Sequence, residues 1–198
     1  MKKLASTLPN MLLSLTAICC VAAALLSFVH ESTRATISAQ ELNALQDGIN
    51  KVTPSYDNSP YEEKITVTFD GDEFVIYPAK EGEILQGAAV ESVSHNGFSG
   101  DVRVLVGLDM DGKVVDYTVL EQAETPGLGA EMDQFFRETD TGHFIPGISV
   151  TTPLSVTKDG GTVDAITAAT ISSRAFLETI NKAYAAYQLA LDQNLLSR

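Results

Sequence analysis

Two segments of this 198-residue chain bring together residue types able to do chemistry on a small ligand. The first is Asp164-Ala165-Ile166-Thr167-Ala168-Ala169-Thr170-Ile171-Ser172-Ser173-Arg174, mostly small and hydroxyl residues ahead of an amphipathic stretch. If that stretch is helical, Thr170 stands just before its amino end, where unpaired N–H groups and the helix dipole favour an anion. Arg174 in the first turn adds a cation. A phosphate beside Thr170 suits this pattern; an ordinary helix start with Ser172 or Ser173 as N-cap uses the same residues. The second segment, Glu124-Thr125-Pro126-Gly127-Leu128-Gly129, directly follows a strand pattern. Pro126-Gly127 enforces a turn, and glycines on both sides of Leu128 let backbone come close to a flat object. A tight connection between two elements is the alternative reading.

Other suggestive residues lack the partners their chemistry needs. Asp109-Met110-Asp111-Gly112 opens like a calcium loop, but Val114 and Leu120 occupy the positions that require Gly and Glu. It reads as a hairpin turn. Gly127-Leu128-Gly129 begins like a dinucleotide fingerprint, yet Met132 stands where the last Gly belongs. His30, His95 and His143 have no ligand spacing, so neither a metal site nor a catalytic histidine is expected. Cys19 and Cys20 are adjacent, which excludes a disulfide framework and a multi-cysteine metal site.

The elements that must position the two segments are legible in outline. Ile65–Phe69 and Phe74–Tyr77 read as strands about Asp70-Gly71-Asp72, and Gly87–Ser94 as a third. Val102, Val104, Val106 and Leu108 alternate into the Asp109–Gly112 turn, and Val115, Tyr117 and Val119 alternate out of it. A second hairpin is expected over Leu154–Ile166 around Asp159-Gly160-Gly161. Phe176, Ile180, Ala183, Tyr184, Tyr187 and Leu191 recur every three or four positions, which predicts a helix from Ser172 to Leu191 packed on the sheet. The fold class is α+β, a twisted, mainly antiparallel sheet with helices against it.

Charge divides the chain. All 26 Asp and Glu residues follow His30, as do 11 of the 13 Lys and Arg, so the body carries −15 while the head has only Lys2 and Lys3. Such an acidic body disfavours nucleic acid as a partner. A helix over Leu8–Val29 would be about 33 Å long, enough to cross a bilayer core. Lys2 and Lys3 then place the amino end in the cytoplasm and the body outside. A cleaved signal peptide ending at Ala22-Ala23-Ala24 is the competing reading, but Leu25, Leu26, Phe28 and Val29 continue the apolar run past it. Ser38-Ala39-Gln40-Glu41 is a capping-box pattern that predicts a short second helix over Ala39–Asn50, followed by a loop at Thr53–Pro60. The expected division is an anchor over residues 1–30, a juxtamembrane helix and linker over 31–60, and a globular domain over 61–198.

Taken together, the two segments resemble the FMN-binding domain of the G subunit of Rnf electron-transport complexes. They are also similar to the C subunit of the sodium-translocating NADH:quinone reductase. That family's pattern D-x-x-S/T-G-A-T-x-S/T is met by Asp164, Thr167, Ala168, Ala169, Thr170 and Ser172, with Ala168 in place of the usual Gly. The Glu124–Gly129 stretch matches too, and the resemblance extends through Leu105–Asp109 and Tyr77-Pro78-Ala79 to the single anchor.

The resemblance implies covalent FMN, joined through a phosphoester to Thr170, on a single-pass electron-transfer subunit of a bacterial inner membrane. Glu124, Thr125, Gly127, Leu128, Gly129, Asp164, Thr167, Ala168, Ala169, Ile171, Ser172 and Arg174 are the other residues expected at the flavin. A flavin transferase using FAD would make the bond during maturation. The other subunits of an ion-translocating ferredoxin:NAD+ oxidoreductase and membrane lipid are the implied partners, and the domain would be periplasmic. Membership of the quinone-reductase family is the near alternative, and a cofactor-free extracytoplasmic binding or assembly module the distant one.

Overall fold

The computed structural model describes residues 7–139 and 141–196, without the side chains of residues 35–39. Five strands, β1 (Ile65–Phe69), β2 (Asp72–Glu81), β3 (Ile84–Ser94), β4 (Val102–Asp109) and β5 (Val114–Glu121), pair in sequential order, each antiparallel to the next. The short links dictate this topology. Between β1 and β2 only Asp70 and Gly71 intervene, both left-handed at φ 52° and 88°, the conformation that matches strand twist. The Asp109–Gly112 segment is a hairpin turn as expected: the Asp109 carboxylate accepts the Asp111 and Lys113 N–H groups at 2.9 and 2.8 Å. β2 and β3 run longer than their apolar patterns suggested, because each passes from one neighbour to the next along its length: β2 pairs with β1 over Asp72–Ile76 and with β3 from Val75 on, and β3 pairs with β4 from Gly87 on. Pro78 is accommodated in β2 beyond the point where pairing with β1 ends at Ile76.

Two helices cover the sheet. The amphipathic helix α3 (Thr170–Asp192) packs on one face, where Phe176, Ile180, Ala183 and Tyr187 meet Val102, Val104, Val106 and Leu108, all fully buried. The opposite face carries a smaller cluster of Tyr77, Ala89 and Leu105 with Ile49 and Val52. Those last two come from the end of α1 (Leu8–Val52), a single helix where two were expected. Residues 30–38 contain neither Gly nor Pro, so nothing interrupts the backbone ladder and the capping-box pattern at Ser38 lies inside the helix. Close approach is required at Gly107, where a Cβ would fall 1.7 Å from the Val52 carbonyl oxygen.

Two compact units are distinguished, Met1–Ala44 and Leu45–Arg198. Within the first, Leu8–Arg34 is long and apolar enough to cross a membrane, and it fits a single-pass anchor. Lys2 and Lys3, on which its expected orientation rests, lie outside the described residues.

The expected hairpin at Leu154–Ile166 does not form. Val156 and Val163 meet in an isolated parallel bridge, and a 3-10 turn spans Thr157–Asp159 between them. Thr157 N–H to Val163 C=O at 2.9 Å and Gly161 N–H to Val156 C=O at 3.1 Å close the segment on itself, leaving no second strand. A short helix α2 (Met132–Phe135) follows the Glu124–Gly129 segment. It is tied to the core by Tyr117, whose hydroxyl donates to the Met132 and Asp133 carbonyls at 3.1 and 3.0 Å. Phe176 stacks on Phe136 at 4.4 Å and meets Tyr117 edge-on at 4.9 Å, joining this excursion to α3.

Candidate functional site

Thr170 is the first residue of α3, which begins two residues before the Ser172 start expected from the sequence. Its predecessor Ala169 is the N-cap and offers no side-chain hydrogen bond, so neither Ser172 nor Ser173 caps the helix. Both serines lie in its first turn, buried, and hold the approach to it. Ser173 Oγ accepts the Ile166 N–H and donates to the Ala169 carbonyl, both at 3.0 Å. The intervening turn closes with Ala169 N–H on the Ile166 carbonyl at 3.0 Å, and its third residue, Ala168, is left-handed at φ 62°. An L-residue with a side chain adopts that region at a cost of about 1–2 kcal/mol, which glycine avoids. This is the position at which the sequence has Ala where the motif it resembles has Gly.

Pro126-Gly127 makes the expected turn: Leu128 N–H bonds the Thr125 carbonyl at 3.1 Å and Gly127 sits at φ 75°. The turn brings Gly129 against α3. A Cβ on Gly129 would stand 2.4 Å from Ser172 Oγ and 2.8 Å from Glu124 Oε2, so only glycine lets the two segments meet. They are joined through a buried carboxylate. Ser172 Oγ donates to Glu124 Oε2 at 2.8 Å, and Ser99 N–H donates to Glu124 Oε1 at 3.2 Å. Glu124 thus gathers the Ser94–Gly100 loop, its own segment and the start of α3 around one point.

Between these three pieces lies a cavity of about 270 Å³. Of the expected residues, Glu124, Thr125, Leu128, Gly129, Ala168, Ala169, Thr170, Ile171 and Ser172 line it. Phe98, two-thirds exposed on the Ser94–Gly100 loop, completes the lining and was not anticipated. An exposed aromatic between glycines is the signal that marks it. Gly127, Asp164 and Thr167 shape the loops without lining the cavity. The Asp164 N–H bonds the Gly142 carbonyl at 3.0 Å, and its carboxylate packs where a Cβ on Gly142 would stand.

Arg174 does not face Thr170 as a free cation. Its guanidinium forms a two-pronged ion pair with Asp159, at 2.7 and 2.8 Å, which holds the Asp159 carboxyl below its usual range and raises Arg174. The cation at Thr170 is Lys158, whose Nζ donates to Thr170 Oγ1 at 2.9 Å. Nothing in local spacing announces Lys158, because it lies 12 residues upstream in the segment that folds as a closed loop rather than a hairpin.

The arrangement pairs a hydroxyl, a cation and the free N–H groups of a helix start with a flat, largely apolar recess. That combination fits a ligand with one phosphate and one planar ring. The cavity is near the lower bound of roughly 300 Å³ for small-molecule sites, so such a ligand would keep part of its surface in solvent.

Comparison with known proteins agrees with this geometry. A family model described as "FMN-binding domain" matches residues 97–185, which include both segments, Phe98 and Lys158. The chain is 32% identical over 173 residues to the G subunit of the ion-translocating oxidoreductase complex of Aliivibrio fischeri, covering 82% of this chain and 81% of that one. It is 33% identical over 172 residues to the protein of the same name from Yersinia pestis, with 82% and 81% covered. Against that of Shewanella piezotolerans it is 32% identical over 196 residues, 92% of this chain and 89% of the other.

Proposed function

The chain belongs to the family of ion-translocating oxidoreductase complex G subunits, with an FMN-binding domain, and on that basis we propose that it carries FMN covalently on Thr170. The observation that carries the proposal is Thr170 itself. Its hydroxyl lines the cavity at the first turn of α3, uncapped by any side chain and held by Lys158 at 2.9 Å. A phosphodiester there keeps one negative charge, for which the helix start and the lysine are suitable counter-charges. Bound flavin would supply the redox chemistry, and the chain its position and electrostatics.

The residues that fit the ring are Phe98, Leu128 and Ile171, with Gly129 opening the floor. Glu124 and Ser172 tie that floor together through their hydrogen bond. Because the recess is shallow, an edge of the ring stays accessible, as electron exchange with a neighbouring subunit requires. The chain is then a single-pass electron carrier of an Rnf-type ferredoxin:NAD+ oxidoreductase in a bacterial inner membrane. Its domain lies on the periplasmic side, and a flavin transferase loads it from FAD.

The test is direct. The chain is co-expressed with a flavin transferase, denatured and washed. It is expected to retain flavin fluorescence in a gel and to gain the mass of one FMN less water, both lost in Thr170→Val. Wild-type protein free of flavin after that treatment would refute covalent attachment and favour a cofactor-free module.

A further inference from the structure

The geometry points to Lys158 as the residue that prepares the Thr170 hydroxyl for attachment and then neutralises the phosphodiester formed on it; this rests on the covalent reading above. Lys158 is exposed, but its backbone is held in place. It occupies the middle of the Thr157–Asp159 turn, a segment closed by Asp159 N–H to the Val156 carbonyl at 2.9 Å and Gly160 N–H to Thr157 at 3.1 Å. Gly160 ends the turn in the left-handed region at φ 82°, and Gly161 fits only because it lacks a Cβ, which would fall 2.0 Å from the Ser155 carbonyl oxygen. Its backbone is therefore fixed before the side chain reaches out.

The turn is then fastened to α3 at two points in register. Neighbouring residues Lys158 and Asp159 reach Thr170 and Arg174, which stand one helical turn apart on the same side of α3. The Asp159–Arg174 fork holds the turn, and Lys158 acts at Thr170. Because an ammonium has no acceptor, its bond to Oγ1 can only be donated. The threonine oxygen is held by one lone pair and its own proton stays free for transfer.

The step balances without further reagents beyond a flavin dinucleotide and the transferase that binds it. Thr170 Oγ1 attacks the flavin-side phosphorus of FAD. The new O–P bond forms as the anhydride P–O bond breaks, AMP departs with the bridging oxygen, and the hydroxyl proton passes to base or solvent. As Oγ1 loses that proton, negative charge is offset by the Lys158 ammonium, and afterwards the same ammonium faces the phosphodiester. Lys158 is thus a positioning residue for the acceptor, supplied by this chain and not by the transferase.

The experiment uses the full chain in detergent with purified transferase, FAD and magnesium, following covalent flavin and AMP release. Lys158→Gln is expected to slow transfer about 10- to 100-fold, the loss of one charged hydrogen bond, at unchanged KM for the chain and unchanged thermal midpoint. Lys158→Arg is expected to recover most of the rate. Asp159→Asn, which frees the turn but keeps the lysine, is expected to fall between. Transfer to Lys158→Gln at the wild-type rate overturns the inference while leaving covalent attachment standing. A wild-type chain that accepts no flavin overturns both.

Discussion

The Ser172 hydroxyl donates to Glu124 Oε2 at 2.8 Å, joining two segments 48 residues apart in the chain. Both residues are buried, at 2% and 5% exposure. Removing the donor strands a buried carboxylate oxygen, which costs about 1–3 kcal/mol. Ser172→Ala is accordingly expected to lower stability by that amount in urea unfolding of the full chain, at unchanged m-value. It is also expected to weaken retention of the flavin ring, seen as increased quenching of flavin fluorescence by iodide.

Gly129 sits beneath that bond. A methyl group there would stand 2.4 Å from Ser172 Oγ and 2.7 Å from Ser172 Cβ, a short side chain with nowhere to move. Gly129→Ala is expected to destabilise by about 1–3 kcal/mol through overpacking. It should also push the Leu128 backbone away from α3, so that flavin transfer to Thr170 falls even where the protein is folded. Stability and transfer are measured on the same preparation.

Ala168 offers a gain. Held at φ 62°, it bears strain that Gly would release, less the extra freedom Gly has in the unfolded chain. Ala168→Gly is expected to stabilise by about 0.5–1 kcal/mol, a rise of roughly 1–4 °C in thermal midpoint for a domain of this size. A fall in the midpoint would show that the turn is not strained.

His95 makes the Ser94–Gly100 loop sensitive to pH. Asp101 accepts from Nδ1 at 2.9 Å and Asp72 lies 3.4 Å from Nε2, and their hydrogen bonds and charge raise the histidine above its usual 6.5. A group whose folded pKa is raised contributes fully below the unfolded value, and its contribution fades as pH climbs through the folded one. The loop carrying Phe98 is therefore expected to be held most firmly below pH 6.5 and to loosen above it. An NMR titration of His95 should give a midpoint above 6.5 that drops in Asp101→Asn.

How far all this was legible in the sequence differs by element. Strands and α3 followed from alternation and from the spacing of Phe176, Ile180 and Tyr187, because their burial is periodic. The two lining segments stood out because Pro126-Gly127 and the Asp164–Ser172 run are locally unusual. What escaped depends on contacts between distant parts of the chain. Lys158 is chemically meaningful only once the Thr157–Asp159 turn lies over α3. Its neighbours Gly160 and Gly161 suggested a hairpin because turn glycines are common to hairpins and closed loops. Arg174 was expected at Thr170 from helical position alone; Asp159, invisible to that reasoning, takes it. The continuity of α1 escaped for a different reason, since a capping-box pattern marks a helix start only where the backbone is otherwise broken.

The close fit of Gly107 to Val52 decides where this domain can be cut. A fragment started at residue 53 would lose Ile49 and Val52 from the cluster that holds Tyr77, Ala89 and Leu105, uncovering part of an apolar face prone to self-association. One started at Leu45 keeps the cover that closes it. The last turns of the anchor helix are thus a domain boundary in their own right, and they belong on the soluble side of it.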